Sequence, residues 1–375
     1  MPLSRRNFLC SLGASATALA CTPWETGSTG ALAELPTQQS ILLNQNENPY
    51  GSSPNGTMAM QSALRFSNRF PEAACNAAVR EIATFHGVEP NQVMVGCGST
   101  DIMRMCADAF LGAGGTLITA DPTFGFLKDY AAQLGSKVLR VPLNHRHEHD
   151  LDSMLARARG STNLVYICNP NNPTGTITPR NNLLKFLTNL PQHTYVLMDE
   201  AYHHYAGMSQ EYSSWVEYAT RDPRLIVTRT FSKVYGLAGM RVGYAVASDS
   251  TIRRLMPYQL WSGVNVAAAL ACSAALKDNA FLQLAVKRNS DDRQEFLNQA
   301  LARMLKPLDS HTNFLFMDAG RPARGVIAHF KQHNILIGPE FPSMSTFIRV
   351  SLGLPKEILA FWRVWDLLPR GRMSM

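Results

Sequence analysis

Lys233 sits in FSKVYGLAGMRVGY (231–244) among Val, Tyr, Gly, Leu and Ala, and Arg241 follows eight residues on. An amine in apolar surroundings is penalised as ammonium, so its pKa falls and the nucleophilic form becomes available. An arginine keeps its charge and presents a fork of donors that suits phosphate oxygens. Five further stretches carry chemistry in chain order. GCGSTD (96–101) ends an apolar run and opens a helical one, and its small residues let backbone N–H groups approach an anion. DPTFGF (121–126) places the Phe124 ring after the next apolar run, and NPNNPTG (169–175) is a rigid turn with outward side-chain amides, Asn172 among them. YVLMDEAY (195–202) runs apolar into Asp199, a carboxylate that is costly to bury unless it meets a cation, and Tyr202 follows it. Arg349 lies inside FIRVSLG (347–353), where a charged residue within a strand suits an anion anchor. Taken singly, each has a plainer reading as turn chemistry, core packing or an edge residue.

Taken together they fit one cofactor. Pyridoxal 5′-phosphate needs an amine for a Schiff base, a carboxylate against its pyridine nitrogen, donors at its ring oxygen and a phosphate cradle. Lys233 supplies the amine, and Asp199 keeps the pyridine nitrogen protonated, which makes the ring an electron sink. Asn172 and Tyr202 reach the ring oxygen. Ser99, Thr100, Ser232 and Arg241 hold the phosphate, and Phe124 stacks on the ring. Lys233, Asp199 and Tyr202 are the expected catalytic groups, with Lys233 shuttling the proton. No metal-ligand spacing accompanies them.

With these motifs in this order the chain resembles the fold type I aminotransferases of class I/II, and within them the histidinol-phosphate aminotransferase branch. The resemblance spans roughly residues 41–365 and adds NENPYG (46–51) and RFPE (69–72) to the motifs above. It implies a homodimer with shared active sites. It also implies an arm that folds NENPYG over the site, so that Tyr50, Asn172 and Arg349 meet a substrate whose acidic group Arg349 holds. It implies transamination between an amino donor and a 2-oxo acid. Histidinol-phosphate aminotransferase proper, or a decarboxylase of the threonine-phosphate type, stands as the alternative. Two positions depart from the branch. Phe70 replaces a tyrosine whose hydroxyl reaches the partner's cofactor phosphate, and Gly338 replaces an arginine that helps to bind the substrate phosphate. One arginine in place of two favours a carboxylate over a phosphate ester.

The elements that must position these groups alternate. QVMVGCG, GTLITADP, KVLRVPL, NLVYICNP, TYVLMDE, LIVTRTF and GYAVAS are short apolar runs, separated by helical stretches such as DIMRMCADAFLGA and NNLLKFLTNL. That pattern predicts an α/β fold with a mostly parallel sheet covered on both faces and a ligand beyond its carboxyl strand ends. Residues 34–56 form the arm, 57–264 the large cofactor-binding domain, and 265–375 a long helix and a smaller α+β domain. The long helix is expected over 265–306. FLFMDAG, NILIGP and TFIRVSLG read as strands of the small domain and EILAFWRVWDLL as its closing helix. HRHEHD (145–150) reads as a solvated turn rather than a metal site.

The chain has 375 residues and a net charge of +7, with its basic residues scattered, which argues against nucleic acid as a partner. Seven cysteines without paired spacing argue against a disulfide framework. Arg5 and Arg6 precede a short apolar stretch that ends in small residues, and SRRNFL resembles the twin-arginine export motif. Residues 1–33 are therefore expected to be a signal read by the twin-arginine translocation machinery, cleaved after Ala20 or Ala33, and the destination is periplasmic. Cys21 offers a lipid anchor as an alternative. The twin-arginine route carries folded, cofactor-loaded proteins, which suits a cofactor enzyme of this kind.

Overall fold

The seven apolar runs become one sheet. In this computed structural model, residues 40–369 are described except 159, 161 and 162; the expected signal segment and Cys21 lie outside the described residues. The sheet comprises β2 (Val93–Gly96), β3 (Thr116–Asp121), β4 (Lys137–Pro142), β5 (Leu164–Cys168), β6 (Tyr195–Asp199), β7 (Leu225–Thr230) and β8 (Gly243–Val246). Its order is β2-β8-β7-β6-β5-β3-β4. Only β8 runs against its neighbours, pairing antiparallel with both β2 and β7. The carboxyl ends of the other six therefore share one edge, where ligands of open α/β sheets bind.

Side chains alternate between the two faces of a strand, and both faces here are buried. Val165, Ile167, Val196, Met198 and Val227 point into a core shared with the helices Glu72–His86, Leu151–Ala158, Arg180–Asn189 and Val266–Lys277. Leu164, Tyr166, Cys168, Leu197 and Ile226 point the other way, against the helices Ser99–Phe110, Phe126–Gln133 and Asp249–Leu255. That double burial is why the runs read as continuously apolar.

A second core gathers Leu43, Phe296, Phe330, Ile348, Val350, Phe361 and Trp362. There β9 (Phe314–Asp318) and β11 (Phe347–Ser351) pair antiparallel, with Arg349 opposite Phe316. The N-terminal strand β1 (Ile41–Leu43) pairs in parallel with β10 (Ile335–Ile337), so the chain entering at residue 41 joins elements almost 300 positions later.

Two expectations are corrected. The single long helix over 265–306 is two, Val266–Lys277 and Asn279–Ala302. Asp278 leaves helical geometry at φ −92° and ψ 66°, and its carboxylate accepts the Phe281 N–H at 3.1 Å, which caps the second helix. The HRHEHD segment is not simply a solvated turn, because Glu148 and His149 are buried. His149 Nδ1 lies 2.8 Å from Thr178 Oγ1, and Thr176 Oγ1 donates to the His147 carbonyl at 2.6 Å. The segment is thus pinned beneath the turn that carries Asn172.

Candidate active site

A cavity of about 420 Å³ opens at the carboxyl ends of β5, β6 and β7. Ser99, Thr100, Phe124, Asn172, Asp199, Tyr202, Ser232, Lys233, Arg241 and Arg349 all line it. The sheet brings most of them together, because each follows a strand whose end reaches this edge. Tyr50 is placed differently. It does not line the cavity, and its hydroxyl donates to Asp292 Oδ2 at 2.9 Å while Arg288 lies over its ring.

At one end is an anion cradle. Ser99 begins a 12-residue helix whose first N–H groups have no partner within the helix. Gly98 precedes it at φ 77°, a left-handed conformation that suits glycine, and a Cβ there would fall on the Arg241 guanidinium. A Cβ at Gly243 would fall on the Ser99 N–H. Bare backbone at both positions therefore lets the helix start, the guanidinium and the Ser232 hydroxyl converge. Arg241 Nη1 donates to Ser232 Oγ at 3.4 Å and to the Ala238 carbonyl at 3.0 Å, and Arg241 itself is held at φ 57°. The donor set and the space suit a phosphate.

Asp199 lies at the middle of the floor, 2% exposed. Its Oδ2 accepts the Tyr166 hydroxyl at 2.8 Å and its Oδ1 accepts the Ala201 N–H at 3.1 Å. Burial raises its pKa to about 6 despite these bonds. Neither donor is a cation, so a protonated ring nitrogen above Asp199 would supply the missing positive charge. Tyr202 Oη accepts Asn46 Nδ2 at 3.0 Å and Asn172 Nδ2 at 3.4 Å. Two amides donating to this oxygen leave its own proton free to point into the cavity.

Lys233 Nζ donates to the Gln45 carbonyl at 3.0 Å. Burial first, and the charge of Arg349 second, lower its pKa from 10.5 to about 8. Arg349 is buried; its Nη1 donates to Asn172 Oδ1 at 2.6 Å and its Nη2 to the Asn44 carbonyl at 2.7 Å. Its Nε is buried without a hydrogen-bond partner. An arginine held on two corners presents a fixed guanidinium at the cavity wall, which suits an incoming anion. Gly338 packs directly against it: its N–H donates to the Arg349 carbonyl at 2.8 Å, and a Cβ at 338 would come within 2.9 Å of Arg349 Cβ and 3.1 Å of Nε.

Gln45 and Cys168 line the cavity without having been singled out from sequence, whereas Asn46 and Glu47 belong to NENPYG, the string expected to fold over the site. Gln45, Asn46 and Glu47 form one wall, and Cys168 lies beside Asp199. Asn46 has a detectable signature, because NENPYG is a distinctive string and the backbone at Asn46 turns through φ 53°. Its partner Tyr202 lies 156 positions away, which no local pattern encodes.

A family model described as "Aminotransferase class I and II" matches residues 38–360. A histidinol-phosphate aminotransferase from Moorella thermoacetica is 35% identical over 332 residues, covering 88% of this chain and 86% of that protein. Among solved structures, one from Erwinia carotovora atroseptica, provisionally assigned as a histidinol-phosphate aminotransferase, superposes with a TM-score of 0.84 at 30% identity, covering 87% of this chain and 95% of the other. The histidinol-phosphate aminotransferase of Sinorhizobium meliloti in complex with pyridoxal-5′-phosphate gives a TM-score of 0.83 at 26% identity, with 88% and 92% covered.

Proposed function

This chain belongs to the class I and II aminotransferase family, and from that premise we propose that it moves an amino group between an amino acid, or an amino-acid-like compound, and a 2-oxo acid whose carboxylate Arg349 holds. It is a pyridoxal 5′-phosphate-dependent transaminase with the fold of that group. When bound, the cofactor supplies an electron sink for the bond broken at the substrate's α-carbon.

The chain's own groups divide the remaining work. The Ser99 helix start, Ser232 and Arg241 would hold the phosphate, and Phe124 would cover the ring. Asp199 would hold a proton on the ring nitrogen, and Tyr202 and Asn172 would donate to the ring oxygen. Lys233 Nζ, whose pKa is lowered to about 8 so that the neutral amine is far more available than in an ordinary lysine, would anchor the cofactor and then take the proton from the substrate's α-carbon. The Gln45 carbonyl keeps that amine oriented while it is free.

One observation carries the preference for a carboxylate. Arg349 is the cation facing the substrate side, and Gly338 lies against it where a second arginine would be needed to grip a phosphate ester. The relatives named above favour histidinol phosphate as the competing amine. The discriminating experiment follows the visible spectrum of the purified protein on adding L-glutamate, other α-amino acids or histidinol phosphate. Rapid bleaching of the yellow lysine-bound form by carboxylate-bearing amines supports the proposal. Selective bleaching by histidinol phosphate overturns it in favour of the competing reading.

The proposal extends to assembly and place. The exposed Phe70 and Trp261 rings, in tilted contact with centroids 4.7 Å apart, support a homodimer, since such a pair is poorly placed in water. SRRNFL supports twin-arginine export, and an exported aminotransferase would act on a periplasmic metabolite, such as a glutamyl group of a siderophore. Replacing Arg5 and Arg6 with lysine should leave the enzyme in the cytoplasm; unchanged export would remove this part.

A further inference from the structure

We propose that Tyr166 is a positioning residue for the cofactor, holding the Asp199 carboxylate ionised and aimed at the ring nitrogen. Tyr166 lies in the middle of β5, fully buried beneath the helix that starts at Ser99. Its hydroxyl is 2.8 Å from Asp199 Oδ2. The register explains the reach: β5 and β6 pair Cys168 with Asp199 and Tyr166 with Leu197, so the tyrosine lies one pleat back and its long side chain spans that offset. Cys168, directly beside Asp199, carries a sulfur 3.9 Å from the same oxygen, too weak and too distant a donor to substitute. The other Asp199 oxygen accepts a backbone N–H at 3.1 Å. Each oxygen thus receives one fixed neutral donor, which sets the plane of the carboxylate. An ionised carboxylate in an apolar floor needs such donors to remain charged, and only the charged form pairs fully with a protonated ring nitrogen. The tyrosine touches neither substrate nor reacting atoms, so its effect passes through Asp199.

The inference rests on Asp199 facing the ring nitrogen, and the test separates the two ideas. Apoenzyme is titrated with pyridoxal 5′-phosphate and with its 1-deaza analogue, in which carbon replaces the ring nitrogen. Wild type should prefer the natural cofactor. In Tyr166→Phe, affinity for the natural cofactor should fall about tenfold, the loss typical of a hydrogen bond to a charged group, while the analogue changes less than twofold. A purely structural role would weaken both ligands equally, and that result, or no loss for either, overturns the proposal. A wild type without preference would instead sink the reading of Asp199. Tyr166→Met also lacks the hydroxyl and fills much of the same space. It should reproduce the selective loss, and it serves if the phenylalanine variant does not fold.

Discussion

Gly338→Ala tests the substrate anchor with a single methyl group. The backbone at 338 is not left-handed, so alanine meets no conformational penalty there and its effect is steric. The new Cβ would stand 2.8 Å from the Arg349 carbonyl, 2.9 Å from Arg349 Cβ and 3.1 Å from Nε. Separations below 3.0 Å force movement, and the Gly338 N–H bond to the Arg349 carbonyl ties the two backbones together. The Arg349 carbonyl and Cβ are both fixed by the backbone of β11, so the strand must shift there and carry the Arg349 side chain with it. Overpacking of this kind costs about 1–3 kcal/mol. Its displacement also strains the 2.6 Å bond to Asn172 Oδ1. Losing one charge-assisted bond to a substrate carboxylate costs about 1.5–3 kcal/mol, which is roughly 10- to 150-fold in apparent affinity. We expect KM for carboxylate-bearing substrates to rise at least tenfold, while cofactor affinity stays within about twofold, because the phosphate cradle and Asp199 lie elsewhere. Steady-state kinetics with two amino donors, alongside cofactor titration of the apoenzyme, checks both. An unchanged KM would refute the account of Arg349, and an equal loss of cofactor affinity would show a general disturbance.

Lys233→Ala should abolish transamination and the yellow lysine-bound form, read by absorbance and by product assay; surviving turnover would remove Lys233 from its role. In the apoenzyme, reductive trapping of Lys233 by a small aldehyde should rise with pH around a midpoint of about 8 rather than the ordinary 10.5, since only the neutral amine reacts. The same depression means the unfolded chain binds more protons than the native one between those values, so this group adds stability to the apoenzyme as pH rises through that window. Glu200→Ala should lower stability by about 3–5 kcal/mol, seen in chemical denaturation. Glu200 and Arg229 are both buried, with Arg229 Nη2 and Nε donating to Glu200 Oε2 at 2.8 and 3.0 Å, and truncation would strand the guanidinium. Asn46→Ala should slow turnover by removing the 3.0 Å bond to Tyr202, and should also lower stability in chemical denaturation by about 1–3 kcal/mol, because the buried Asn46 side chain accepts the Ser351 hydroxyl at 3.0 Å and its backbone is held at φ 53°.

Much of the large sheet was legible because its strands announce themselves twice. Each is a short β-rich apolar run, and each ends in the polar residues that reach the cavity, as YVLMDE ends in Asp199 and NLVYICNP leads to Asn172. Burial on both faces gives the runs, and the topology gathers their ends without further instruction. What escaped were one local competition and several relations that depend on distance in the chain. The break at Asp278 is a local competition between side-chain capping and helix propagation within a stretch whose apolar pattern continues on both sides. Buried His149 and Glu148 look like solvent-facing turn residues until Thr178 supplies a partner 29 positions later. Tyr50 bonds Asp292, 242 positions away, a partner that no local pattern encodes.

The arm shows most clearly why motif order outran motif detail. Asn44, Gln45 and Asn46 occupy three consecutive positions, and each meets a different group of the site: the Asn44 carbonyl takes Arg349, the Gln45 carbonyl takes Lys233, and the Asn46 amide donates to Tyr202. Two of the three contacts use backbone atoms, which any residue type could supply, so composition leaves no trace of them. What fixes them is the path of the chain. β1 is locked to β10 just before, and Gly51 packs so tightly on Gly236 just after that a Cβ at 236 would strike its carbonyl. With both ends pinned, the stretch between has little freedom and must pass across the cavity. Side-chain chemistry can be read as identity, but backbone contacts can be read only once the fold has fixed where the chain runs.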